Sequence, residues 1–191
     1  NMIVSELDLK LDVSNEKLYT LTDATKEFVK DIDHDIKIYY IVESGNEVSM
    51  VQRIVNKYNN LSDHVEVVTK DPVLYPKFAS QYVEANTDVA DNSIIVVDEA
   101  NGRSKYIPYS DMLIQSIDYN TYSSTTTGID VEGQITSAIQ YVVSEELPTM
   151  YEVQGHGEAE VSTTLASYLA KQNINKQTLD TLSADKIPED C

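Results

Sequence analysis

Gly155-His156-Gly157-Glu158 is the segment of this 191-residue chain with the most chemical promise. A glycine-flanked turn at the carboxyl end of a strand, opening a helix, is where open α/β folds place ligands. Backbone N–H groups converge there, and glycines let a ligand approach closely. In such a turn His156 could serve as acid, base or metal ligand, with Glu158 as its partner. The same residues also have a plainer use: the glycines make the turn, Glu158 favours a helix N-terminus, and His156 bonds nearby backbone. Ser162, Thr163 and Thr164 are the hydroxyls that keep a hydrolytic reading with His156 and Glu158 alive. No nucleophile elbow, Walker loop, dinucleotide fingerprint or metalloprotease helix occurs.

Two other histidines lie in acidic, turn-like contexts, Asp33-His34-Asp35 and Asp63-His64. A neighbouring carboxylate favours the protonated ring, so each could be a metal ligand or pH sensor, or simply an exposed loop histidine. The acid-rich stretch Asp88 to Asp91 lacks the alternating Asp pattern of a calcium loop, and no Cys/His cluster has zinc spacing, so the expectation is no metal and no cofactor. Thirteen tyrosines stand beside two phenylalanines and no tryptophan. Tyr39, Tyr40, Tyr106 and Tyr109 fall in stretches that read as strands. Tyr119 and Tyr122, in a polar stretch with no packing pattern, are the interface candidates.

The balance of 14 basic against 32 acidic side chains gives a net charge of −18. Nucleic-acid affinity comes largely from phosphate neutralisation by Lys and Arg, so nucleic acid is an unexpected partner. Cys191 alone makes no internal disulfide. The apolar runs, such as Ile94 to Val97, fall far short of the roughly 20 residues that span a bilayer. The ends at Asn1-Met2 and Glu189-Asp190-Cys191 read as those of a soluble portion of something longer.

These residues must be positioned by alternating strands and helices. Residues 1–34 read as an edge strand (Ile3 to Val13) and a helix from about Asp23 to Asp31, with hydroxyl and carboxylate caps supplied by Thr20-Leu21-Thr22-Asp23. Residues 35–147 read as β-α-β-α-β-β-α: strands at Ile36–Val42, Val65–Thr69, Ser93–Asp98 and Lys105–Tyr109, with helices near Val48–Tyr58, Pro76–Tyr82 and Ile135–Val143. Ala100-Asn101-Gly102 marks a hairpin between the last two strands, and Ser116 to Asp130 reads as a surface loop. The order is thioredoxin-like, but the first strand–helix junction, Glu43-Ser44-Gly45-Asn46, holds no sulfur, so disulfide exchange is excluded. Residues 148–191 read as the opening β-α-β of a flavodoxin-like open α/β sheet: a strand at Thr149–Val153, a helix through Leu165, Tyr168 and Leu169, and a strand at Lys176–Leu182.

Three pieces in order resemble one family. Leu18-Tyr19-Thr20-Leu21-Thr22-Asp23-Ala24-Thr25, the helix ending Ile135-Thr136-Ser137-Ala138-Ile139, and the Gly155–Glu158 turn are similar to segments of the auxiliary proteins of gliding-motility type ABC transport systems. The resemblance implies a non-catalytic, extracytoplasmic accessory domain with an ABC permease and ATPase as partners. It further implies a membrane anchor in segments absent from this chain, and a glutamine-amidotransferase-like domain opening at the Gly-His-Gly-Glu turn. An extracellular glycan- or peptide-binding module is the competing expectation from the tyrosines.

Overall fold

A computed structural model of the chain describes residues 20–83, 87–118, 123–155, 157–182 and 186–188. The strand expected at Ile3–Val13, Tyr119, Tyr122, His156 and Cys191 lie outside the described residues. The chain divides into two compact units, Asn1–Val142 and Val143–Cys191.

The first unit is a mixed α/β structure. Helix α1 (Asp23–Lys30) is capped by Thr22, whose Oγ1 accepts the Thr25 N–H at 3.2 Å. Asp23 in its first turn and Lys30 in its last both suit the helix dipole. Strand β1 (Ile36–Ile41) leads to α2 (Ser49–Tyr58), which buries Val51, Ile54, Val55 and Tyr58 along one stripe, and then to β2 (Val65–Lys70). Strands β3 (Ser93–Asp98) and β4 (Ser104–Ile107) form the hairpin expected at Asn101-Gly102, where Gly102 takes a positive φ of 73°. The sheet order is β2-β1-β3-β4, with β1 parallel to β2 and antiparallel to β3, and β3 antiparallel to β4. β3 is a central strand buried along its whole length, which is why Ser-Ile-Ile-Val-Val-Asp reads as a run rather than an alternation.

The two sheet faces are covered differently. One carries Ile36, Ile38, Tyr40, Ile94 and Val96, all buried. It belongs with the buried stripes of α2 and of α4 (Val131–Val143), the latter presenting Ile135, Ala138, Ile139 and Val142. On the other face Ile41, Ile95 and Val97 pack with Tyr39, Phe78, Ala79, Tyr82, Val89 and Tyr106. Alternation along β1 and β3 makes this division.

Three expected elements differ. The helix expected at Pro76–Tyr82 is one short 3-10 turn, Ala79–Gln81, so an irregular segment crosses the sheet where a helix was expected. Its content of one Pro, two rings and little periodicity gives it anchors rather than a helical stripe. The surface loop expected at Ser116–Asp130 is a two-stranded antiparallel ribbon, β5 (Leu113–Asp118) and β6 (Ser123–Ile129). The Ser/Thr strand β6 lacks an apolar alternation because the side chains of residues 123–127 are exposed; β-branched threonine still favours extended backbone. Tyr109 is not in a strand: it opens the four-residue helix α3 (Tyr109–Met112), set there by the extended Pro108 before it.

In the second unit β7 (Thr149–Gln154) and β8 (Asn175–Asp180) pair in parallel, joined through α5 (Thr163–Lys171). Ser162 caps α5 by accepting the Leu165 N–H at 3.2 Å.

Candidate functional site

The junction from β1 to α2 lies at the carboxyl end of a parallel strand, and the chain's own acids occupy it. Glu43 N–H donates to Asp91 Oδ1 (3.0 Å), Ser44 N–H to Asp71 Oδ2 (3.2 Å) and Gly45 N–H to Glu47 Oε2 (3.0 Å). Asn46 Nδ2 donates to Glu43 Oε2 (3.0 Å) and to Asp91 Oδ2 (3.1 Å). Asn92, buried and at a positive φ of 65°, closes the arrangement. Its Oδ1 accepts the Val48 N–H at 2.7 Å and the Tyr40 hydroxyl, and its Nδ2 donates to Asn46 O at 3.0 Å. Burial pushes the Tyr40 hydroxyl up to about 12, so it is a neutral donor at physiological pH. An anion approaching these N–H groups would meet carboxylates already bonded to them.

Beside this junction, at the ends of β1 and β2, lies a cleft of about 270 Å³ lined in part by Ile41, Lys70, Tyr75, Phe78, Asp88 and Val89. Lys70 Nζ sits 5.1 Å from the ring centroids of both Tyr75 and Phe78, within cation–π range. Phe78 is in turn held edge-on to Tyr39 at 4.7 Å, with Tyr82 5.9 Å from Tyr39. Burial raises the Tyr39 hydroxyl above its ordinary value. Val73, Leu74 and Tyr75, immediately after β2, are 65%, 70% and 54% exposed. Sequence reasoning did not single out this group: an Asp-Pro turn followed by Val-Leu-Tyr gives no sign that its apolar side chains stay in water.

The Gly155–Glu158 turn stands differently from expectation. Gly155 follows β7 with φ 124°, and a Cβ there would lie 3.0 Å from Asp180 Oδ1 and 3.1 Å from Leu182 Cγ, so only glycine fits. Gly157 also has a positive φ, 86°. The turn does not open a helix: α5 starts at Thr163, and Glu158 is exposed in the intervening segment. Among the described residues of this unit, Glu152 on β7 is a buried carboxylate. It accepts from Lys176 Nζ at 2.7 Å and from the Val161 N–H, which ties the segment after the turn back to the strand. The Lys176 ammonium, then the Val161 N–H, hold its carboxyl below the usual range. A depressed carboxyl contributes stability above its unfolded pKa that is lost as pH falls through the folded one. Protection of the β7 and β8 amides, measured relative to the intrinsic exchange rate at each pH, should therefore fall on acidification from about pH 7 to about pH 3, and Glu152→Gln should flatten that dependence. An unchanged profile in the variant would refute this assignment.

The other histidines are paired. His34 Nδ1 lies 2.6 Å from Oδ2 of Asp98, which is fully buried and also accepts from the Ala100 N–H (2.8 Å) and Asn101 Nδ2 (2.8 Å). His64 Nδ1 lies 2.8 Å from Asp35 Oδ1. His34 thus takes its close partner from the end of β3, 64 residues away, with its sequence neighbour Asp33 at 3.8 Å from Nε2. Among the described residues no group of three or more His, Cys, Asp or Glu side chains is placed to hold a metal ion, and no helix is long and apolar enough to cross a membrane.

Two of the motif segments meet in space. Thr22 N–H and Oγ1 both donate to Glu132 Oε1 at 2.7 Å, and Thr25 Oγ1 lies 3.3 Å from Thr136 Oγ1. Tyr58 OH, fully buried, lies 2.8 Å from Thr136 Oγ1 and donates to Glu132 O at 3.1 Å. Asp130 Oδ1 accepts the Gly133 N–H at 2.9 Å in the first turn of α4. The hydroxyls of Thr22, Thr25 and Thr136, with that of Tyr58, thus fasten α1, α2 and α4 together, an architectural use.

A family model described as a domain of unknown function, DUF7088, matches residues 15–115. The chain belongs to this family. The match spans α1, the four-stranded sheet, the latched junction and the Lys70–Tyr75–Phe78 cleft. It ends inside β5, before α4 and before the Gly155 turn. No curated protein matches the chain.

Proposed function

We propose that this chain is a non-catalytic, extracytoplasmic accessory domain of an ABC transport system that works by protein–protein contact. The observation that carries the reading is the exposed Val73-Leu74-Tyr75 segment at the sheet edge beside the Lys70 cleft. Contiguous apolar side chains left in water next to a groove mark a contact surface, while the neighbouring strand–helix junction is filled by its own side chains. The thioredoxin-like reading of the first unit is supported by the order β2-β1-β3-β4 with β1 parallel to β2. In the second unit Leu165, Tyr168 and Leu182 are exposed on a two-stranded sheet and a single helix, which supports its being the opening of a larger α/β domain. The motif series ending in the Gly155–Glu158 turn is what names the transport system, its permease and its ATPase.

The test is capture from native membranes. The wild-type chain should retain the permease or ATPase, and the double variant Leu74→Asp, Tyr75→Asp should retain at least about tenfold less, its melting temperature being little changed because both side chains are exposed. Recovery of unrelated soluble proteins alone overturns the reading. A cell-wall saccharide or peptide that raises the melting temperature of the chain, with no membrane protein captured, would favour the ligand-binding alternative for the same cleft.

A further inference from the structure

The turn from β3 to β4 holds the chain's one Asn-Gly pair, Asn101-Gly102. With no side chain on the glycine, its backbone nitrogen can reach the asparagine side-chain carbon unhindered, which makes this the dipeptide most prone to deamidation. In the fold every atom of that reaction is held. The nucleophile is tied back, the Gly102 N–H donating to Asp98 O at 3.0 Å. Asn101 Oδ1 accepts the Arg103 N–H at 2.7 Å. The nitrogen that would leave, Asn101 Nδ2, donates to Oδ2 of the buried Asp98 at 2.8 Å and to Val142 O at 2.9 Å. That last bond caps the final turn of α4, whose end carbonyls lack partners within the helix. Asn101 itself is exposed to water.

We propose that Asn101 is a self-modification site: its latch to Asp98 and Val142 gates conversion to aspartate or isoaspartate, and conversion then holds the latch open. When the turn opens, Gly102 N bonds to Asn101 Cγ and the Cγ–Nδ2 bond breaks. Nδ2 leaves as ammonia, carrying the proton given up by Gly102 N. Water then opens the succinimide ring at either of its carbonyls, giving aspartate or isoaspartate. Water is the only co-reactant. The product does not remake the latch, because an ionised carboxylate has no hydrogen to donate and would set acceptor against acceptor at both Asp98 and Val142 O. It also adds negative charge beside a buried carboxylate and at a helix C-terminus, where both are unfavourable. A molecule whose turn has opened and reacted therefore keeps a lasting record of it, with the β3–β4 turn released from α4. This inference does not depend on the Val73–Tyr75 segment or on the transport reading.

Peptide mass mapping of the full chain, incubated at neutral pH, follows the conversion. Residue 101 should convert at least about tenfold more slowly in the folded chain than in concentrated urea, because only the opened fraction reacts. Asp98→Asn keeps the side chain's shape but puts a donor where one acceptor oxygen stood, so it should accelerate conversion of the folded chain at least about fivefold. Asn92→Gly, which loosens the opposite end of β3, should leave the rate within about twofold of the wild type. Equal rates in the folded chain and in urea overturn the proposal, as does equal acceleration by the two variants. Asn101→Asp reproduces one product directly. Amide exchange of residues 140–143 should rise at least about fivefold in it, and less in Asn101→Ala, which loses the donor without adding charge. Exchange in Asn101→Asp no faster than in the wild type or in the alanine variant also overturns the proposal.

Discussion

Tyr58→Ala should lower the unfolding free energy by about 3–5 kcal/mol, the range for deleting a buried aromatic ring. Urea denaturation followed by circular dichroism measures it. The ring is fully buried on α2, and its hydroxyl bridges Thr136 and the Glu132 carbonyl on α4. Tyr58→Phe separates the two contributions: keeping the ring and losing the hydroxyl should cost about 1–3 kcal/mol, because the Glu132 carbonyl loses a buried donor and the Thr136 hydroxyl loses its acceptor. Combining Tyr58→Phe with Thr136→Val should cost less than the sum of the single changes, since both break the same bond. Burial also pushes the Tyr58 hydroxyl well above its ordinary value. Tyr58 therefore contributes stability that is complete below the unfolded tyrosine pKa and is lost as pH rises toward the folded one. Tyr58→Phe should be relatively less sensitive to alkali than the wild type. A Tyr58→Ala loss under about 1 kcal/mol would show that the three helices do not depend on this side chain.

Asn92→Ala should cost about 2–4 kcal/mol and loosen the β1–α2 junction. It removes the acceptor of the Tyr40 hydroxyl and of the Val48 N–H and the donor to the Asn46 carbonyl. It also puts a Cβ with no polar compensation at φ 65°. Asn92→Gly removes the same bonds without that backbone cost, so it should be about 1 kcal/mol milder than the alanine. Hydrogen exchange should rise at residues 43–48 in both variants. Equal stability of the alanine and glycine variants would show that backbone conformation contributes nothing at this position.

The strands were legible where burial writes itself into composition. Ile36 to Ile41 and Ser93 to Asp98 are rich in β-branched residues because they are the two central strands, and Asn101-Gly102 marks the turn that their hairpin partner requires. The β5–β6 ribbon was not legible, because it buries little and its exposed Thr and Ser residues carry the composition of a loop. The latch and the helix network were hidden for another reason. Asn92, Asp98, Glu132 and Glu152 look like solvated surface residues in sequence, and their partners, other than nearby turn groups, come from as far as 110 residues away. The motif residues Thr22, Thr25 and Thr136 were visible as a pattern, yet only the fold reveals that the pattern closes on itself.

That closure has a mechanical side. Thr22 grips one carboxylate oxygen of Glu132 with two donors, and it stands at the very start of α1. A tug on the polypeptide at Thr20 is passed directly to the first turn of α4, bypassing the four-stranded sheet. The clasp would have to slip before the sheet bore any tension.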